Sequence, residues 1–206
     1  MVDGETAVET GKGMGRSGTT GRLSGALTGL ILALAVVLAA PAVADQRDPR
    51  LEDLFQRLRN TADEGEAQRI QGRIWRIWME ARDREADELM RQGVQAMALQ
   101  QLARALRSFD RLVTLTPEFA EAWNKRATVH YLMGNFGASV RDIQQTLALE
   151  PRHFGALSGL GLIYDAVEQP AAALRSLEAA IAINPHLEGG PQRVEELRSA
   201  IQGSRT

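Results

Sequence analysis

Three prolines, Pro117, Pro151 and Pro185, follow one another at intervals of 34 residues, in the settings LTP, LEP and INP. A fixed period of this length marks a chain of stacked supersecondary units, and it limits the fold more than any other feature. Framed on the prolines, the units run 86–119, 120–153 and 154–187. The eighth residue of each is small (Gly93, Ala127, Gly161), and so is the twentieth (Ala105, Ser139, Ala173). The fourth is large (Leu89, Trp123, Leu157) and the twenty-fourth apolar (Phe109, Ile143, Leu177). Apolar residues recur at helical spacing, which predicts two amphipathic helices per unit. The small pair lets two helix backbones approach, and the large neighbours fill the remaining space. Proline ends the second helix because it has no N–H to donate. One helix pair cannot bury its apolar face alone, so the pairs must stack.

In the middle unit Trp123, Ala127, Gly134, Phe136 and Pro151 carry a pattern that resembles the tetratricopeptide repeat family. In the third, Gly161, Tyr164, Ala173 and Pro185 do the same. The first unit departs most, with Gln100 in place of Gly134 and Ala96 where an aromatic is common, which leaves its inter-helix turn open. In the third, Pro170 stands in the slot of Phe136, where it can start a helix. The fold class expected is all-α, a solenoid of three helix pairs with an N-terminal helical hairpin and a C-terminal capping helix.

The hairpin is read over residues 45–85. Leu51, Leu54, Phe55 and Leu58 form one stripe, and Ile70, Ile74, Ile77, Trp78 and Ala81 another, with NTADEGE as turn and cap. It is expected to pack on the first repeat. Trp75 and Trp78 read as core, with an aromatic ligand cage as the alternative. Residues 188–206 restart at Pro191 and carry Val194, Leu197 and Ile201, while Arg193, Glu195, Glu196 and Arg198 give the wet face that an array end requires.

Ahead of the hairpin, residues 23–40 read LSGALTGLILALAVVLAA, and no charge occurs between Arg22 and Asp45. The run ends in APAVAD, with Ala42 and Ala44 at the small-residue positions of a cleavage site. Residues 1–44 are therefore read as a secretory signal peptide, cut before Asp45, which implies a periplasmic or secreted protein. An uncleaved inner-membrane anchor is the alternative, since about 20 apolar residues span a bilayer. Asp3, Glu5 and Glu9 suit the start of a signal badly, and Met14 would open a short basic one instead.

The chain offers little to chemistry. It has no cysteine, which excludes thiol catalysis, disulfides and a lipidated cysteine anchor. Its formal net charge is -2, with no clustered basic face for nucleic acid. His153 and His186 follow the repeat-ending prolines about one repeat apart, and His130 lies in a helix, so no metal shell is expected. Gly155, Gly159 and Gly161 fall inside a predicted helix and read as packing residues. RDREADE reads as a solvated helix face. No nucleophile, base and orienter stand together, so no enzyme and no cofactor are expected.

What remains is a surface. The resemblance implies that the first helix of each pair lines a concave groove. The second, fifth, ninth and twelfth residues then face it: Asp87, Met90, Val94 and Met97; Glu121, Asn124, Thr128 and Tyr131; Gly155, Ser158, Leu162 and Asp165. Methionine adapts to varied partners, and Asn, Thr and Tyr bond an extended backbone. Some members of the family grip a C-terminal carboxylate, but the basic pair here lies in one repeat only. The reading is an exported protein-interaction scaffold that binds a peptide segment or helix. The alternatives are a membrane-anchored envelope assembly factor and, further off, a small-ligand binder or hydrolase. Self-association through the hairpin stays open.

Within the groove the triplet Asn124-Lys125-Arg126 divides. Asn124 points inward and Lys125 stands at the rim. Arg126 turns to the packing face with Trp123, where Asp142 is expected to pair with it across the two helices.

Overall fold

The computed structural model describes residues 48–81 and 83–203. The signal-like segment 1–44 and the alternative start at Met14 lie outside the described residues. Among those residues there are nine helices and no strand. The hairpin is α1 (Pro49–Asn60) and α2 (Glu64–Met79). The repeats are α3 (Arg84–Ala98) with α4 (Leu102–Leu115), α5 (Ala120–Leu132) with α6 (Phe136–Leu149), and α7 (Phe154–Ala166) with α8 (Pro170–Ile183). The cap is α9 (Gly190–Gly203). None of these helices is long and apolar enough to cross a membrane.

Local chemistry sets the helix ends. Asp63 and Asp83 accept the backbone N–H of Glu66 and Ala86, each at 2.8 Å, and so start α2 and α3. Pro170 stands at the first position of α8. The second helices stop at Leu115, Leu149 and Ile183, and each repeat proline follows two residues later. The residue between them is buried and polar in all three repeats: Thr116, Glu150 and Asn184. The Glu150 and Asn184 side chains accept the N–H of Arg152 and His186, which closes the turn.

The turn inside each repeat puts its fifteenth residue in the left-handed region: Gln100 at φ 55°, Gly134 at 74° and Glu168 at 57°. The first repeat therefore makes the same turn as the middle one without its glycine, at the steric cost of a Cβ there. The small eighth residue works as the spacing predicts. A Cβ on Gly93 would stand 2.5 Å from the Phe109 ring, and one on Gly161 would stand 2.8 Å from Leu177 Cγ. Ala127 and Ile143, at the matching places of the middle repeat, belong to one buried core cluster.

The hairpin departs from the expected packing on the first repeat. Only its end lies there, where Met79 and Ala81 pack on the first-repeat core of Leu89, Met90 and Phe109. The body folds back over the third repeat. Leu51, Phe55, Leu58, Ile70, Ile74 and Trp78 share one core with Phe154, against which Ile183 and Leu187 pack. Polar ties follow the same path. His186 Nε2 donates to the Thr61 carbonyl at 3.0 Å, Asn184 Nδ2 donates to Gln71 Oε1 at 3.1 Å, and Arg152 Nη1 donates to Glu52 at 3.0 Å. Nearness in sequence favoured the first repeat. The apolar surface left open by Phe154, Ile183 and Leu187 decides otherwise, because each large side chain buried there contributes about 1.5–3 kcal/mol.

Candidate functional site

The folded-back hairpin changes which groove positions remain open. It covers the N-terminal ends of α5 and α7, where the second and fifth positions lie. Glu121 and Asn124 are buried, contrary to the groove assignment made from the sequence. Met90 is buried as well, because the end of α2 closes over the first repeat, and Val94 and Met97 pack on that same core. Asp87 is exposed on α3, away from the covered ends. Gly155 leaves room for a tryptophan and not for a ligand, since a Cβ there would stand 2.6 Å from Trp75 Cη2.

Under the hairpin lies a buried polar cluster. His153 Nδ1 accepts the backbone N–H of Ala156 at 3.0 Å and so caps α7. That leaves Nε2 to carry the proton, which it donates to Glu121 Oε2 at 2.8 Å. The imidazole stacks on Trp78, with centroids 4.1 Å apart and planes 12° from parallel. Lys125 Nζ stands 2.9 Å from the other Glu121 oxygen and 5.4 Å from the centre of the Trp75 ring. Lys125 is therefore no free rim charge. Burial disfavours the ionised Glu121, but the His153 hydrogen bond and the Lys125 charge outweigh it and hold the carboxyl below its ordinary range.

Arg126 and Asp142 meet across α5 and α6 in a two-pronged pair, Nε to Oδ2 at 2.8 Å and Nη2 to Oδ1 at 2.7 Å. The third guanidinium nitrogen, Nη1, reaches Asp110 of the preceding repeat at 3.0 Å, and the cation lies 4.8 Å from the centre of the Trp123 ring. Both carboxylates hold the Arg126 charge in place, so its role is to tie two repeats together. Asp165 is likewise engaged, by Arg193 of α9 at 2.5 Å.

Beyond the covered ends a cavity of about 370 Å³ stays open. One wall is α2, through Gln71 and Trp75. The other is the concave face of α5 and α7, through Thr128, Tyr131, Ser158 and Leu162, with Leu187 and Glu188 of the following loop at one side. Thr128, Tyr131, Ser158 and Leu162 are sequence-expected groove residues that the fold does bring together. Gln71, Leu187 and Glu188 were missed, because no pattern along the chain announces that the hairpin returns to the third repeat. Trp75 was visible, but as core or cage; Trp78 is core, and Trp75 is a half-buried wall.

The lining is mainly apolar, and its polar groups differ in freedom. Gln71 is held by Asn184, and Thr128 donates to the Asn124 carbonyl at 2.9 Å. The Tyr131 and Ser158 hydroxyls and the Glu188 carboxylate have no hydrogen-bond partner among the described residues. Such a site can take an apolar side chain and bond the polar groups beside it. No three potential metal-ligating side chains converge among the described residues.

Comparison with known proteins agrees with this architecture. The family model for the tetratricopeptide repeat matches residues 90–132 and 125–188. A TPR repeat-containing protein of Rhizobium etli is 32% identical over 197 residues, which covers 88% of this chain and 97% of the relative. The chain belongs to the tetratricopeptide repeat (TPR) family. Among solved structures, the Sgt2 TPR domain from Aspergillus fumigatus superposes with a TM-score of 0.56 at 20% identity, over 61% of this chain and 84% of that one. MamA gives 0.55 at 22% identity, over 69% and 86%. The first TPR of Spaghetti (RPAP3), bound to the HSP90 peptide SRMEEVD, gives 0.55 at 16% identity, over 57% and 94%. These likenesses establish the TPR fold.

Proposed function

We propose that this TPR protein is a binding module, not a catalyst, and that it holds a segment of another polypeptide in the cavity between α2 and the concave face of α5 and α7. The observation that carries this reading is an apolar pocket with unengaged hydroxyls, Tyr131 and Ser158, on one wall. An apolar side chain of the partner enters beside Leu162 and Trp75. Its backbone bonds the two hydroxyls, and a basic side chain faces Glu188. The TPR neighbour that holds an HSP90 peptide supports a segment as the cargo. A carboxylate grip of the kind considered from the sequence is disfavoured, because Lys125 is already spent on Glu121.

The test is a random-peptide display library panned on the full chain. Enriched sequences carry an apolar residue next to a basic one, and Ser158→Arg abolishes their binding while Arg59→Ala, on the hairpin, does not. Peptides that bind the Ser158→Arg protein unchanged would sink the reading.

Export is proposed alongside this role, on the strength of the signal-like run 23–40 and its APAVAD end. The mature protein then begins at Asp45 in the periplasm or outside the cell. Intact-mass measurement from the native host decides between this and the anchored alternative, which retains residues 23–40.

A further inference from the structure

The outer helices of the solenoid carry a second repeated pattern. Arg107, Arg141 and Arg175 hold the twenty-second place of the three repeats, and all are exposed. None pairs with another described residue. The carboxylates nearest in sequence are taken: Asp110 by Arg126 at 3.0 Å and Glu178 by Arg198 at 2.7 Å, while the matching place in α6 is Gln144. Four residues before each arginine, on the same helix face, stands an exposed small residue: Ala103, Gly137 or Ala171. A Cβ on Gly137 would lie 3.8 Å from Arg141 Nη1, so this guanidinium lies back over the small residue. The turn that leads into each of these helices begins with an exposed apolar side chain, directly after the inner helix: Leu99 at 57%, Met133 at 40% and Val167 at 39%.

Each repeat thus presents an apolar tip ahead of its outer helix, and a small residue and an unpaired arginine in the N-terminal half of that helix. Unneutralised arginines at a fixed interval call for an anionic partner. Guanidinium groups pair well with phosphate. An acidic polypeptide would satisfy the arginines but leave the apolar tips in water. The surface of an anionic bilayer satisfies both, with phosphates at the arginines and the acyl boundary at the tips. We propose that this edge of the solenoid is a peripheral docking surface for an anionic phospholipid bilayer, separate from the peptide groove. It does not depend on the N-terminal apolar run.

The chain has no cysteine, so a single introduced one takes a label cleanly. The mature chain from Asp45 with Met133→Cys carries a polarity-sensitive fluorophore and is mixed with phosphatidylethanolamine vesicles containing phosphatidylglycerol. The emission shifts to the blue, and high salt reverses the shift. Pure phosphatidylcholine vesicles leave it unchanged. The same label at Ala62→Cys, in the hairpin turn, does not respond. Each Arg→Gln change at 107, 141 or 175 weakens the vesicle response about fivefold, and all three together weaken it by roughly a hundredfold. An equal shift with neutral vesicles, an unchanged affinity in the triple variant, or a response confined to Ala62→Cys overturns the proposal. So does a response to polyglutamate without one to vesicles, which would assign the row to an acidic polypeptide.

Discussion

Replacement of His153 tests the buried cluster that fixes the hairpin to the repeats. His153→Ala removes three interactions at once. Loss of the cap on α7 costs about 1 kcal/mol. Loss of the stack on Trp78 costs about 1 kcal/mol beyond area. The Glu121 carboxylate, fully buried, loses one of its two strong partners, which costs about 1–3 kcal/mol. The sum is roughly 3–5 kcal/mol, a large part of the ~5–15 kcal/mol that holds a domain. His153→Asn restores the cap but does not reach Glu121, so it recovers only about 1 kcal/mol. Glu121→Gln in the His153→Ala background removes the stranded charge, and the two changes together cost less than their sum. Urea unfolding reads His153→Ala, His153→Asn, Glu121→Gln and the double variant, with tryptophan emission, to which Trp75 and Trp78 contribute, reporting on the cluster and far-UV dichroism on the whole array. A His153→Ala cost below about 1 kcal/mol, or strict additivity with Glu121→Gln, would refute this account of the cluster.

Three further outcomes are expected. Gln100→Gly and Glu168→Gly each relieve a side chain held at positive φ and stabilise by about 1 kcal/mol, a rise in Tm of roughly 2–4 °C by differential scanning calorimetry. Asp142→Asn weakens the two-pronged pair with Arg126 and costs about 2 kcal/mol in urea unfolding. Glu121 has its carboxyl held below the ordinary value in the folded state, so its contribution is complete above the unfolded value and is lost as pH falls through the folded one. The acid limb of a stability–pH profile is therefore shallower in Glu121→Gln than in the parent, and identical limbs would contradict the assignment.

Much of the fold was legible because a 34-residue period is a statement about packing. Gly93 and Gly161 announced close helix contacts, and Arg126 with Asp142 announced a bond between helices, since each depends on neighbours at fixed register. The left-handed turn at Gln100 was obscured because the local steric preference is overridden by the two helices it joins. The groove was only half legible for a different reason. Thr128, Tyr131, Ser158 and Leu162 lie where repeat geometry puts them. Glu121, Asn124 and Gly155 have the same register, but a tertiary contact from 50 to 80 residues away in sequence covers them. Stripe patterns show that Trp75 and Trp78 must be buried by something; they do not say which repeat supplies the surface. His153 looked like one more residue after a proline. Its role depends on Trp78 and Glu121 arriving from two other helices.

The central claim is that the hairpin returns to the third repeat and forms one wall of a binding groove. Hydrogen exchange of the full chain, with and without a library-selected peptide, tests it most directly. Added protection is expected in α2 around Gln71 and Trp75, in α5 around Thr128 and Tyr131, and in α7 from Gly155 to Leu162, with α4 and α6 unchanged. Protection confined to α3 and α5, with none in α2, would contradict the account.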